Sequence, residues 1–225
     1  FHGVPFQPSL ARLRETVEVI NMLMRGEKLV YHGKWFNFDK GFTLRFKPVR
    51  DHIPVYLATL HPKSVKMTAE VADGWMPAFI PRGALKQQIG EFRGWAAAAG
   101  RDPKAIEVKA GGVTVSNDPA ARDKGRGFMA FYIARMGTFY YNQLSRYGYA
   151  DEAAAIKKAF DDHGSAAGAA AIPDELLQDL GFSGNADECL SRIREDEELG
   201  VDVHNVSIDT TDPVEFGRAV ETLLR

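Results

Sequence analysis

The sequence predicts an α/β fold of parallel strands, the closing four βα units of a (βα)8 TIM barrel. Three observations carry this. Short apolar runs alternate with helix-length amphipathic runs, the pattern of parallel strands joined by right-handed crossovers. A chain of 225 residues with 45% apolar composition can bury one sizeable core or two small ones. The strands are apolar on both faces, yet helices are at hand for one side only. A half-barrel of this kind leaves two unpaired edges and an uncovered concave face. The reading therefore expects four further units ahead of Phe1, since a whole barrel takes about 250 residues, and a start at Phe rather than Met agrees with that. An open doubly wound sheet is the alternative, but it lacks the G-x-G-x-x-G turn after a first strand.

In chain order, Leu10, Leu13, Val17, Ile20 and Met24 recur at helical spacing between Ser9 and Arg25, and Gly26 stands where a C-terminal cap belongs. Residues 28–50 alternate apolar and polar around Asp39, Lys40 and Gly41, as an inserted hairpin would. Strand Ile53 to Ala58, helix Pro62 to Ala72, strand Gly74 to Phe79 and helix Gly83 to Ala99 follow. A third strand, Ile106 to Ser116, carries Gly111 and Gly112, which predict a bulge. Residues 118–181 read as a helical insertion, with the Ala- and Gly-rich GSAAGAAAIPDE acting as a hinge before Pro173. Helix Ala186 to Leu199, a strand from Val203 to Ile208 and a helix from Asp212 end the chain, all within a single domain, 1–225.

The formal charge of −2 excludes the cationic surface of a nucleic-acid or membrane binder. Cys189, the only cysteine, excludes an intrachain disulfide framework, and no Cys/His spacing suits a metal. No apolar run nears the roughly 18 residues of a membrane span, and FHGVPFQPS has no signal-peptide pattern, so a cytoplasmic location is expected.

In a parallel barrel, ligands gather where strands end, which directs attention to Ala58, Thr59, Leu60 and His61. Pro62 at the first helical position makes His61 the cap and is expected to leave the amides of Lys63, Ser64 and Val65 free to meet a phosphate. Ala58 lets backbone come close, Thr59 offers a hydroxyl and Lys63 a charge.

Those residues also carry a resemblance. The segment IPVYLATLHPKSVKMTAEVADGWMP, with HGVPFQPSLARLRETVEVI before it and FMAFYIARMGTFYYNQLSRYGY after it, resembles the luciferase-like monooxygenase superfamily over nearly the whole chain. It is most similar to the branch that uses the deazaflavin coenzyme F420. The resemblance implies a TIM barrel of the bacterial luciferase-like type, usually dimeric. Its coenzyme lies at the C-terminal strand ends, with the phosphate at the turn matching Ala58 to His61, Ser64 near a hydroxyl position, and Trp75 in the coenzyme's neighbourhood. His61 replaces the glycine common in that turn, and the family's first three strands have no counterpart here.

Other residues divide between packing and binding. Trp75, Met76 and Phe79 suit either. Asp73 in Ala-Asp-Gly suits a turn that bonds its own backbone. The aromatic run from Phe128 to Tyr149 suits a core, a subunit contact or a lid. Arg82 leads Arg135 and Arg146 as a partner for anionic groups, because it follows the second strand. His204 reads as a hydrogen-bonded core histidine and Ser183 to Asn185 as a helix cap. The cofactor-binding set is thus Ala58, Thr59, Leu60, His61, Lys63, Ser64, Trp75 and Arg82, with the catalytic residue unassigned. The expected function is hydride transfer between F420 and a small organic substrate by a homodimer. The alternatives are an FMN-dependent monooxygenase, a shortened non-catalytic flavin binder, and an unrelated phosphate-binding barrel enzyme.

Overall fold

The computed structural model describes residue 3, residues 8–118 and residues 120–225, apart from the side chains of residues 122 and 123. Most of HGVPFQPS therefore lies outside the described residues. Two units are distinguished, Phe1–Met76 with Phe92–Glu107, and Pro77–Glu91 with Val108–Arg225.

In the first unit the helical stripe becomes α1, Ser9–Met24. Val17 is buried, and Leu10 and Leu13 pack with it against Leu57, Met67 and Ala72, whereas Ile20 at the stripe's edge is exposed. Gly26 takes φ +73°, and the amides of Gly26 and Glu27 bond back to the carbonyls of Leu23 and Met22. That pair of hydrogen bonds closes the helix end, in a conformation open to glycine at little cost.

Strands β1 (Tyr31–His32) and β2 (Asn37–Phe38) form the expected antiparallel hairpin, with Tyr31 opposite Phe38. Its turn is at residues 33–36 rather than at Asp39 to Gly41. The cause is Glu15 on α1, 8% exposed. Its carboxylate accepts the amides of Lys34 (2.8 Å), Trp35 (2.9 Å) and Phe36 (2.9 Å). A Cβ at residue 33 would stand 2.4 Å from Glu15 Oε2, so only glycine fits there. Burial pushes the Glu15 carboxyl up, but the three amide donors and the Lys34 charge outweigh it and hold the pKa below the ordinary value. A lowered carboxyl contributes stability above its unfolded pKa and loses it as pH falls through the folded one. Acidification is therefore expected to lower the protection factors of the amides at residues 34–36, measured by hydrogen exchange against the unstructured rate at each pH. Glu15→Gln is expected to show low protection already at pH 7 and to lose its pH dependence.

Strands β3 (Tyr56–Leu57) and β4 (Gly74–Trp75) pair in parallel, Tyr56 beside Gly74, around helix α2 (Pro62–Val71). Both strands are shorter than expected. Pro77 has no N–H to extend β4, and Phe79, at φ +53°, has left the extended region. Asp73 ties down a neighbouring strand rather than its own turn: its carboxylate accepts Val55 N at 2.7 Å and meets His52 Nε2 at 2.9 Å.

Helix α3 (Arg82–Ala98) is divided between the units. Strand β5 (Glu107–Val115) is followed by five helices, α4 (Ala120–Arg135), α5 (Phe139–Arg146), α6 (Ala150–His163), α7 (Ser165–Ala170) and α8 (Asp174–Leu180). Ile133, Leu144, Ile156 and Leu176 centre the core of this helical stretch. The expected hinge is α7 itself: a Cβ at residue 168 would lie 2.7 Å from the Phe160 ring, so glycine lets α7 and α6 touch.

Strand β6 (Phe182–Gly184), helix α9 (Ala186–Leu199), strand β7 (Val203–Ile208) and helix α10 (Pro213–Leu223) complete the unit. β5 lies between β6 and β7 and is parallel to both, with Val113 beside Phe182 on one edge and beside Val206 on the other. The described residues thus hold five parallel strands where the sequence suggests four. β6 escapes notice because Phe182-Ser183-Gly184 is too short to form an apolar run. The expected bulge is present: the β5–β7 register shifts between Lys109 and Gly112, with Gly111 at φ +68°. Before the bulge the even positions Val108 and Ala110 are buried, and after it the odd positions Val113 and Val115 are. Asn185 and Glu188 form a reciprocal cap on α9.

Candidate functional site

The β3–α2 turn gathers six of the eight expected binding residues in the first unit. Its amides are not free. Ser64 N and Val65 N donate to the His61 carbonyl at 2.8 and 2.9 Å, and Lys63 N reaches His61 Nδ1 at 3.4 Å. His61 caps the helix with both its ring and its backbone, a job an ordinary glycine in this turn could not do with a side chain. Ser64 Oγ also donates to the His61 carbonyl, at 2.8 Å. The Thr59 hydroxyl faces inward, buried, at 2.8 Å from Thr68 Oγ1. Trp75 is core: 1% exposed, its ring 5.0 Å from that of Phe92 and its Nε1 donating to the Thr59 carbonyl at 2.9 Å. Of the six expected binding residues in the turn, Ala58, His61 and Lys63 are exposed.

Arg82, the eighth, belongs to the second unit, on the wall of a cavity of about 360 Å³. It is committed to carboxylates. Nε donates to Asp196 Oδ1 at 2.8 Å, Nη2 stands 3.1 Å from Glu195, and its amide donates to Asp179 Oδ1 at 2.9 Å. Asp179 also accepts the Tyr149 hydroxyl at 2.9 Å, and burial followed by that bond raises the Tyr149 pKa. Arg192, one turn before Asp196, stands 3.5 Å from the same oxygen and donates to the Gln178 carbonyl at 2.8 Å. Burial draws the Arg192 guanidinium below its ordinary value while Asp196 pulls the other way. The i, i+4 spacing puts both side chains on one helix face, but nothing local shows that this face points inward.

His204 is the opposite of expectation. Both ring nitrogens are buried without a hydrogen-bond partner among the described residues. Burial lowers its pKa against the upward pull of Asp196, Glu197 and Asp202, so the ring is neutral at pH 7. Asn205 and Ser207 take the other face of β7, toward the cavity, as strand alternation requires. Among the described residues no group of three His, Cys, Asp or Glu side chains is arranged to hold a metal, and no helix is long and apolar enough to cross a membrane.

A family model for luciferase-like monooxygenases matches residues 1–203. The 5,10-methylenetetrahydromethanopterin reductase of Archaeoglobus fulgidus is 30% identical over 209 residues, covering 88% of this chain and 60% of the relative. The chain thus spans well under two thirds of that protein's length. The solved coenzyme F420-dependent tetrahydromethanopterin reductase of Methanopyrus kandleri superposes with a TM-score of 0.76 at 20% identity, over 95% of this chain and 61% of that one. An F420-dependent secondary alcohol dehydrogenase, solved with an F420–acetone adduct, gives 0.70 at 20% identity, over 98% and 64%. At such identity these two structures establish shared fold, an α/β arrangement with parallel strands. The family match over residues 1–203 removes the unrelated phosphate-binding barrel as a reading.

Proposed function

The chain belongs to the luciferase-like monooxygenase family, and from that premise we propose an oxidoreductase that passes a hydride between coenzyme F420 and a small organic substrate. Support comes from the Archaeoglobus relative, a reductase, and from two F420-dependent enzymes of the same fold. The observation that carries it within this chain is the β3–α2 turn: a small residue, Ala58, is exposed beside the exposed His61 and Lys63. That combination fits the anionic end of such a coenzyme. When bound, the coenzyme supplies the hydride chemistry at its deazaflavin ring.

In this reading Ala58, Leu60, His61, Lys63 and Ser64 present the binding surface. Thr59 and Trp75 support it from behind: the Trp75 indole holds the Thr59 carbonyl, which fixes the strand end carrying Ala58. Arg82 is occupied by Asp196 and Glu195 and organises its own cavity. The resemblance also implies a homodimer, and the exposed rings of Phe128, Phe131 and Phe139 supply apolar area for one.

The test is a fluorescence titration of the full-length protein with oxidised F420 and, separately, with FMN. F420 is expected to bind, and Lys63→Ala to weaken it roughly tenfold, the value of one charge-assisted hydrogen bond. FMN binding without F420 binding would move the protein to the flavin-dependent branch, to which the family's own description, a monooxygenase, belongs.

A further inference from the structure

The cavity of about 360 Å³ in the second unit falls within the range of small-molecule sites, roughly 300–1,000 Å³. Its charged groups are spoken for. Arg82 and Arg192 face Asp196, and Asp179 accepts from the Arg82 amide and the Tyr149 hydroxyl. An anion or cation entering here would find no unmatched opposite charge to offset its lost hydration. Neutral polar groups are available instead: Asn205 and Ser207, both exposed, line one side. Thr114, Gln178 and Ser183 add further neutral polar groups, and the remaining wall is mostly apolar, with Val113, Phe128, Met129 and Phe182 in it.

Two features keep the space open. Gly125 sits inside α4, where glycine weakens a helix, and it lines the cavity. A Cβ there would meet Leu177 Cδ1 at 3.7 Å, ordinary contact, so the backbone does not require glycine; what glycine leaves is room. Phe79 lines another side at φ +53°, a conformation that persists in a bulky residue only where its surroundings impose it. Gln143, fully buried, imposes it by donating Nε2 to the carbonyls of Ala78 and Phe79.

We infer that this cavity binds an uncharged organic molecule with an apolar body and one hydroxyl or carbonyl group, the latter hydrogen-bonded by Asn205 or Ser207. As the seat of the substrate, it rests on the F420 reading above; as a ligand site, it does not.

Calorimetric titration of the full-length protein with octan-2-one and with octanoate tests the inference. The ketone is expected to bind saturably and the carboxylate at least tenfold more weakly. Gly125→Leu is expected to reduce ketone affinity at least tenfold without lowering Tm, since it fills the space and favours the helix. Gly125→Ala is expected to give a smaller loss, and keeps the test readable if leucine disturbs α4. No ketone binding, equal binding of octanoate, or affinity unchanged in both Gly125 variants overturns the inference. F420 titrated into the same samples separates the two claims: ketone binding without F420 binding supports the site and removes its substrate role. F420 binding without ketone binding overturns the site and leaves the coenzyme reading in place.

Discussion

Replacing Asp196 with alanine is expected to destabilise the protein by about 3 kcal/mol, the lower end of the cost of removing one partner from a buried ion pair. Asp196 is 2% exposed and serves two guanidinium groups, Arg82 at 2.8 Å and Arg192 at 3.5 Å. Arg82 keeps Glu195 and some contact with water, which tempers the loss, but Arg192 keeps neither advantage to the same degree. Its guanidinium is already drawn down by burial, and without Asp196 the strongest counterweight goes. Urea unfolding monitored by far-UV circular dichroism measures the change. The double variant Arg192→Met, Asp196→Leu is expected to recover part of it, because the guanidinium that loses most goes with its partner and an apolar pair takes their place.

Gln143→Ala is expected to cost about 2–4 kcal/mol, by combining a buried cavity with carbonyls that lose their donor. The Gln143 amide donates to the Ala78 carbonyl at 2.7 Å and approaches that of Phe79 at 3.4 Å, while its oxygen accepts from Arg146 at 2.8 Å. The Phe79 ring is also held, edge-on to Tyr140 at 4.9 Å and near Tyr132 at 5.9 Å. Losing the amide therefore frees the backbone before the ring, and hydrogen exchange is expected to rise most at the amides of Phe79, Ile80 and Arg82. Gln143→Glu is expected to fall nearly as far, since a carboxylate has no N–H to donate. A Tm change with no local change in exchange would assign Gln143 to packing alone.

Elements whose cause is local were legible in the sequence. The α1 stop at Gly26, the α9 cap of Asn185 and Glu188 and the β5 bulge at Gly111 and Gly112 each follow from neighbours in the chain. The hairpin turn was misplaced because its determinant, Glu15, comes from a different element about twenty residues earlier. The amides after Pro62 were misjudged for a related reason. A count of helix-end donors says how many lack an i−4 partner, not whether the capping residue bends back to take them, as His61 does. Trp75 and Thr59, expected at the ligand, instead hydrogen-bond within the unit that holds them. On the cavity side, Arg82 was singled out for anions when its partners are carboxylates from α9, distant in sequence. Nothing local marks Gln143 as buried, whereas Gly125, a glycine inside a helix, is a visible signal that space is needed.

The change of parity along β5 limits how this gene can drift. Either glycine removed, or one more residue inserted beside the pair, would swap inner for outer at Val113 and Val115, pushing the valines that pack on Cys189 and Ala219 toward water. Gly111 cannot absorb the error by mutation either, because any side chain there would crowd the Asp196 carboxylate, whose oxygen is 2.9 Å from the position a Cβ would take. Length variation in descendants of this chain should accordingly be tolerated in its loops, while this nine-residue strand stays fixed in length.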